Sequence, residues 1–180
     1  MRTFLALDPD ADASAFLRDQ ITQLQREPWA RHVRWVDDAS LHLTLRFLGE
    51  VSATQLAELK QLLNVSATAP LSLVLTEPRY FPNPRFPRVI ACMIEKNAAL
   101  RALAMLCETA AQAIGLPAER RDFSAHITLG RTKDNFPAGS SLPAFRHTQQ
   151  MASHTVTLYS SELTPQGAVY TKLHEFGFGA

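Results

Sequence analysis

Two histidines occur in the same short pattern in widely separated parts of the chain. The pattern is His-x-Thr-Leu, and it runs from His42 to Leu45 and again from His126 to Leu129. Each copy lies in a stretch that alternates polar and apolar residues, which is typical of a half-buried strand. Because residues two apart on a strand point to the same face, each copy presents an imidazole beside a hydroxyl.

Two such units facing one cleft would suit displacement at phosphorus. A neutral imidazole can take a proton from water, while an imidazolium can protonate the departing oxygen. The unperturbed pKa of histidine, about 6.5, allows both forms near neutral pH. The hydroxyls of Thr44 and Thr128 can donate to the phosphoryl oxygens as negative charge builds there. The residues alone do not distinguish the acid from the base, since the two copies are nearly equivalent.

We expect no metal and no cofactor at this site. The pattern lacks the carboxylates that Mg²⁺ and Ca²⁺ prefer, and two histidines alone make a poor zinc site. The sequence also contains no Gly-x-x-x-x-Gly-Lys loop, no Cys-x-x-Cys and no His-Glu-x-x-His.

Two arginines close to the pattern are predicted to bind substrate. Arg131 follows Gly130, which can let the chain leave the strand and swing the guanidinium toward a phosphate. Arg46 shares the predicted face of His42 but lies further along it. The alternative for Arg131 is a salt bridge at the rim of the cleft.

A loop rich in proline, arginine and aromatic residues provides two more candidates. Its sequence is "RYFPNPRFPR", at 79–88, and we predict that Arg85 and Arg88 bind substrate. Arginines with interleaved aromatic rings can contact a backbone phosphate and stack a base. The alternative is a loop stiffened by proline that packs its rings inward. Three prolines within six positions predict irregular structure here.

Composition limits the kinds of protein that this chain can be. Its 180 residues, 46% hydrophobic and 19% charged, suit a single globular domain over 1–180, which we expect to be monomeric. A net charge of +1 argues against gripping long nucleic acid by electrostatics alone.

The cysteines and the hydrophobic segments bear on the compartment. Cys92 and Cys107 lack metal-ligand spacing, and we predict that both are buried and reduced. No stretch resembles a signal peptide or a membrane span, so a cytoplasmic protein without membrane contact is expected.

The elements that position the two patterns alternate along the chain. Helices are predicted over 11–26, from the capping pair Ser52 and Gln55, and from Asn97 to Gly115. Strands are predicted over 3–7, 33–36, 42–49, 71–77, 89–94, 126–130, 154–163 and 168–176. Several connections are too short for a crossover helix, which favours an α+β protein with mostly antiparallel sheets. A strand–helix–strand order ending in a His-x-Thr strand occurs twice, which is compatible with a diverged duplication.

The chain resembles the 2H phosphoesterases over nearly its whole length, and in particular their RNA 2′,3′-cyclic phosphodiesterase branch, also called 2′-5′ RNA ligase. The segments that carry the resemblance are "RTFLALD", "WVDDASLHLTLRFLGE", "FPNPRFPRVI", "RDFSAHITLGR" and "LYSSELTPQGAVYTKL". One departure is Ala125, where the family often has proline; it supplies no catalytic atom.

The resemblance implies both a fold and an activity. The fold would have two pseudo-symmetric lobes, with antiparallel sheets flanking a central cleft and helices outside. His42 would be the proton donor to the leaving 3′ oxygen and His126 the proton acceptor, while Thr44 and Thr128 would hold the phosphate. The substrate would be an RNA 3′ end with a 2′,3′-cyclic phosphate, or a small cyclic nucleotide, and the product a 2′-phosphomonoester.

Two alternatives remain at this point. The same residues could run the reverse reaction, joining RNA ends through a 2′-5′ bond when a ribose 5′-hydroxyl replaces water. A non-catalytic module could use the histidines only to bind an RNA end or a nucleotide.

Overall fold

The structure, a computed structural model, describes residues 2–137, 139–164 and 167–179. The helices in this part of the chain are α1 (Ala11–Leu24), α2 (Ala53–Leu62) and α3 (Ala98–Ala113). The strands are β1 (Arg2–Leu7), β2 (Val33–Trp35), β3 (Leu43–Glu50), β4 (Leu71–Phe81), β5 (Val89–Ile94), β6 (His126–Thr132), β7 (Gln149–Ser153), β8 (Thr155–Thr164) and β9 (Gly167–Gly177).

The strands form one sheet in which neighbouring strands are antiparallel. The order is β7-β4-β5-β6-β3-β1-β8-β9, and β2 pairs with β6. The halves β6-β5-β4-β7 and β3-β1-β8-β9 each begin with a His-x-Thr strand, and they meet through the pair Leu43–Ile127. The predicted α+β class, with antiparallel halves flanking a cleft, is confirmed; the two expected sheets are halves of one.

Two of the helices pack on the half of the sheet opposite to the one that contains the strand before them. Helix α1 follows β1 but packs on β7, and α3 follows β5 but packs on β3. A single hydrophobic cluster includes Leu5 and Leu43 from one half with Leu73 and Ile127 from the other, all fully buried. Separating the halves would therefore expose the core of both.

The predicted helix starts are confirmed by hydrogen bonds. The Ser52 side chain accepts from the Gln55 N–H at 3.1 Å, and the Gln55 side chain accepts from the Ser52 N–H at 3.0 Å, which is a complete capping box. The Asn97 side chain accepts from the N–H of Leu100 at 2.9 Å. Gly115 follows α3 with a φ of +85°, a conformation that glycine adopts without strain.

Two predictions about strands are wrong. Strand β4 continues to Phe81, so the start of the 79–88 segment is regular; the pairing with β7 ends at Leu75, and Pro78 therefore sits where one side of β4 is an edge. Strand β7, "QQMAS", was not predicted. Its five residues carry little strand propensity, and it forms because it pairs with Leu71–Leu75 of β4.

The predicted face of β3 is wrong beyond Leu45. Ala6 of β1 lies opposite Thr44 and Leu5 lies opposite Arg46, so Leu45 is an extra residue in the ladder, a β-bulge. The bulge reverses the alternation, and Phe47 is 54% exposed where burial was expected.

Strand β6 carries a matching bulge. Ala91 of β5 lies opposite Thr128 and Ile90 lies opposite Gly130, which leaves Leu129 unpaired. In both patterns the bulged residue is the leucine that follows the threonine. Phe47 and Arg131, each three residues after its threonine, therefore occupy corresponding positions, and both line the cleft.

The role predicted for Gly130 is also wrong. The chain does not leave the strand there, because β6 continues to Thr132. A Cβ at Gly130 would lie 2.5 Å from Val33 Cγ1 and 3.1 Å from Trp35 Cε3. The glycine is thus what allows the side chains of β2 to lie against β6.

We expect Gly130→Ala to destabilise the protein by about 1–3 kcal/mol, because the new methyl group must displace Val33 of β2. Urea unfolding measures the effect. Gly177→Ala is the matched control, since a Cβ there meets nothing within 4 Å. Equal unfolding midpoints for the two variants would contradict this account of Gly130.

Candidate active site

The four side chains of the two patterns meet in one cleft with a volume of about 1100 Å³. They are His42, Thr44, His126 and Thr128, and each is half-buried. Leu43 and Ile127 pair across β3 and β6 and point into the core. The antiparallel register set by this pair puts His42 across from Thr128 and Thr44 across from His126. Each imidazole therefore neighbours the hydroxyl of the other copy.

The two imidazoles are oriented by the same backbone contact. The Nδ1 atom of His42 lies 2.7 Å from the carbonyl oxygen of Ser40, and that of His126 lies 2.8 Å from the carbonyl oxygen of Ser124. A carbonyl can only accept, so each Nδ1 carries the proton and donates it. Nε2 is then the atom of each ring that can exchange a proton with a bound molecule.

The sequence held a stronger signal for this contact than His-x-Thr-Leu alone. The pattern Asp-x-Ser-x-His-x-Thr-Leu occurs from Asp38 to Leu45 and again from Asp122 to Leu129. The longer repeat includes both serines whose carbonyls hold the rings. The threonine hydroxyls make no hydrogen bond within the part of the chain that is described, so they are available to a ligand.

Aromatic rings hold both imidazoles in place. The His42 ring lies 4.7 Å from the Phe4 ring and 5.2 Å from Tyr170, which meets it edge-on. The His126 ring stacks on Phe81 at 4.9 Å. Phe4 and Tyr170 come from strands at opposite ends of the chain, and no sequence pattern linked them to His42.

Burial lowers the pKa of His42 below the usual 6.5. The Ser40 carbonyl and the Asp8 carboxylate oppose this shift of the pKa, while the Arg131 guanidinium and the neighbouring His126 ring add to it. His42 is therefore mostly neutral at pH 7 in the empty cleft. A proton-donor role requires the bound substrate's negative charge to raise this pKa.

Asp8 is anchored beside the aromatic cluster that contacts His42. Its carboxylate accepts hydrogen bonds from the hydroxyls of Tyr159, at 2.7 Å, and Thr157, at 3.0 Å, and forms an ion pair with Lys172 at 3.0 Å. These contacts fix the position of a negative charge that favours the imidazolium form of His42.

Three of the predicted arginines, Arg46, Arg88 and Arg131, line the cleft. Arg88 and Arg131 are exposed. Neither side chain makes a hydrogen bond or an ion pair with any residue that the structure describes. Their guanidinium groups are therefore available to an anion.

The structure does not support this role for Arg46, whose guanidinium is already engaged by other residues, or for Arg85. Arg46 is buried; it forms an ion pair with Glu108 and donates to the carbonyls of Phe47 and Pro117. These contacts tie β3 to α3, because the bulge turns Arg46 away from the face of His42. Arg85 does not line the cleft; its N–H donates to the Asn83 side chain at 3.0 Å.

Sequence reasoning missed several residues that line the cleft. Arg34 of β2 lies directly opposite Arg131 of β6. Three exposed apolar side chains also line the cleft: Phe47, Met105 and Phe123. These residues carry no motif, and only the folded sheet brings them to the histidines.

The cysteines behave as predicted, and Cys92 and Cys107 are both buried and free. Burial raises the pKa of each thiol to about 12. Within the described ranges, no three His, Cys, Asp or Glu side chains come together as metal ligands would. None of the described helices is both long and apolar enough to cross a membrane.

Comparison with known proteins finds similarity over nearly the whole chain. Residues 12–91 match the model of the family described as LigT like Phosphoesterase. The chain is 29% identical to the RNA 2′,3′-cyclic phosphodiesterase of Archaeoglobus fulgidus, covering 98% of this chain and 99% of that protein. It is 32% identical to the protein of the same name from Thermus thermophilus, covering 98% and 89%.

Solved structures agree with the described fold. A crystal structure of a Thermus thermophilus protein superposes with a TM-score of 0.85 and 30% identity, covering 98% of this chain and 97% of the other. The crystal structure of E. coli LigT complexed with 3′-AMP gives a TM-score of 0.78 and 28% identity, covering the same shares of the two chains.

We expect the His42 imidazole to titrate below pH 6.5 in the free protein, because its burial disfavours the charged form. Histidine proton and nitrogen NMR across pH 4–9 measures this pKa and the tautomer, which should carry its proton on Nδ1. The signal that disappears in His42→Gln identifies the residue. A pKa above 6.5 in the empty cleft would contradict the expectation.

Proposed function

We propose that the chain hydrolyses RNA 2′,3′-cyclic phosphate ends to 2′-phosphomonoesters, because it belongs to the RNA 2′,3′-cyclic phosphodiesterase family of LigT-like phosphoesterases. The observation that carries the proposal is the opposition of two imidazole–hydroxyl units across one cleft. Each imidazole has Nδ1 occupied by a backbone carbonyl, which leaves Nε2 for the reaction.

The reaction is an in-line displacement at phosphorus. Nε2 of His126 takes a proton from water as the water oxygen bonds to phosphorus. The bond between phosphorus and the 3′ oxygen breaks, and Nε2–H of His42 gives that oxygen its proton. The hydroxyls of Thr44 and Thr128 donate to the non-bridging oxygens, on which negative charge increases in the transition state.

The proposed role of His42 as the acid depends on the negative charge that the substrate brings into the cleft. The cyclic phosphate carries a negative charge, and binding it beside His42 raises the pKa that burial lowers. Asp8 acts in the same direction. Arg131 and Arg88, which the proposal retains as substrate ligands, attract the phosphate, and Arg131 disfavours a charged His42 imidazole in its absence. The imidazolium therefore forms together with the enzyme–substrate complex.

The predictions of a monomer, of a single domain over 1–180 and of a cytoplasmic location belong to this proposal. All the proposed catalytic groups come from one chain, so the reaction needs no second copy. The free, buried Cys92 and Cys107 suit a reducing compartment.

Replacing either catalytic histidine tests the function. His42→Ala and His126→Ala should each lower turnover of adenosine 2′,3′-cyclic phosphate by roughly 10²–10⁴-fold. Phosphorus NMR in the presence of EDTA follows the reaction and distinguishes a 2′ from a 3′ product. His154→Ala is the control, since that residue is exposed and lies outside the cleft.

The wild-type rate should show a bell-shaped pH dependence. It falls in acid because the general base is protonated, and in alkali because the general acid is deprotonated. Undiminished turnover in both variants, or a 3′-phosphate product, would refute the proposal. A parallel incubation with a 5′-hydroxyl oligonucleotide reports any 2′-5′ ligation.

A sulfur-bridged substrate tests which histidine is the acid. When sulfur replaces the 3′ bridging oxygen, the leaving group departs as a thiolate and needs no proton. His42→Ala should then lose at least tenfold less activity on the sulfur substrate than on the oxygen substrate, whereas His126→Ala should lose similar activity on both. The opposite pattern would exchange the two roles.

A further inference from the structure

The two histidines of the cleft differ in the residue that lies beside each of them on the neighbouring strand. Met93 of β5 pairs directly with His126 at the start of β6. In the other half of the sheet, the antiparallel pairing of β1 with β3 ends one residue short of Asp8 and His42. The same register, continued by that residue, places Asp8 beside His42. A thioether therefore neighbours one imidazole, and a carboxylate neighbours the other.

The surroundings of the two imidazoles are otherwise closely matched along the chain. Each ring donates to the carbonyl of a serine two residues earlier, and each is followed by a threonine and a bulged leucine. These shared features cannot make one ring an acid and the other a base. The neighbour on the adjacent strand can, because a carboxylate favours the charged form of an imidazole whereas a thioether carries no charge.

Contacts with β8 hold the Asp8 carboxylate in this position. The hydroxyls of Tyr159 and Thr157 donate to it at 2.7 Å and 3.0 Å. Burial and the bond to Asp8 raise the pKa of Tyr159, so its hydroxyl stays protonated. The Tyr159 ring stacks on Phe4, which lies 4.7 Å from the His42 ring. Asp8 itself does not line the cleft, so it acts through His42 and not on the substrate.

The ionic partner of Asp8 does not cancel its charge. The ammonium group of Lys172 lies 3.0 Å from the Asp8 carboxylate and also 3.0 Å from the Glu175 carboxylate. One positive charge shared between two negative charges leaves the group negative. The exposed ion pairs are screened by solvent, whereas the hydroxyl contacts of Asp8 are partly buried.

Other titratable groups face His42 from the strands around it. The Arg131 guanidinium and the His126 ring, both on β6, disfavour the charged form of His42. Tyr170 of β9 meets the His42 ring edge-on. Burial, with a smaller contribution from the Asp37 carboxylate, raises the pKa of the Tyr170 hydroxyl, which therefore stays neutral. A fixed carboxylate is thus what opposes the effects of burial and of β6 on this imidazole.

We propose that Asp8 is a positioning residue that makes His42, rather than His126, the acid of the reaction. This inference rests on the proposed function. Together with the charge of the bound substrate, a fixed negative charge beside His42 stabilises the imidazolium that protonates the leaving 3′ oxygen. In the corresponding place beside His126, Met93 adds no charge to the ring that accepts a proton from water.

Asp8→Asn tests the inference, because it removes the charge and keeps an oxygen that can accept a hydrogen bond. Loss of the carboxylate lowers the pKa of His42, so the alkaline limb of the kcat profile should move to lower pH by about half a unit or more. The acidic limb, which reports the base, should not move. Asp8→Glu keeps the charge and should restore the alkaline limb at least in part. Asp19→Asn, which removes the same charge from an exposed position of α1 outside the cleft, is the matched control.

The sulfur-bridged substrate distinguishes this role from a purely structural one. Its thiolate leaves without a proton, so it does not need the acid. On the alkaline side of the profile, Asp8→Asn should lose about threefold or more activity on the oxygen substrate and retain wild-type activity on the sulfur substrate. An equal loss on both substrates would mean that Asp8 only maintains the fold, and would overturn the inference.

Two further results would overturn it: an alkaline limb that stays in place in Asp8→Asn, or a shift of the acidic limb instead, because the carboxylate would then act on the base. Failure of the proposed function would look different, since the wild-type protein itself would then not hydrolyse adenosine 2′,3′-cyclic phosphate.

Discussion

The site depends on one antiparallel contact between the halves of the sheet, the pair Leu43–Ile127. Because side chains alternate along a strand, burying these two residues turns their neighbours on both strands into the cleft. A slip of one residue in either strand would send that strand's imidazole and hydroxyl to the core face. The apolar residues at the centre of each pattern thus determine where the polar ones point.

Much of this arrangement could be predicted from the sequence, because it depends on local periodicity. Alternation identified both His-x-Thr strands, and the spacing of imidazole and hydroxyl implied that they share a face. The helix starts at Ser52 and Asn97 could be predicted for the same reason, since a capping residue contacts an N–H only three positions away. The repeat also led us to expect two halves, and the two His-x-Thr strands do lie where the halves of the sheet meet.

The errors arise where pairing partners decide the outcome. The bulges at Leu45 and Leu129 exist only in relation to β1 and β5, so period-two reasoning misplaced Phe47 and Arg46. Gly130 was interpreted as a point of flexibility, whereas its lack of a side chain serves the packing of β2. Arg34 went unnoticed because only the pairing of β2 with β6 brings it to the cleft, opposite Arg131, which lies nearly a hundred positions away.

The half of the sheet that contains β1 is completed by β8 and β9, which follow the strands of the other half in the sequence. Strand β1, near the amino terminus, is flanked on one side by β3 and on the other by β8, which pairs in turn with β9. While the ribosome is still making the second half, β1 therefore has an open edge, and Tyr170, which packs against His42, has not yet been synthesised. A molecule interrupted before β8 lacks two strands of the sheet and the cleft-lining residues that they carry, including Tyr170.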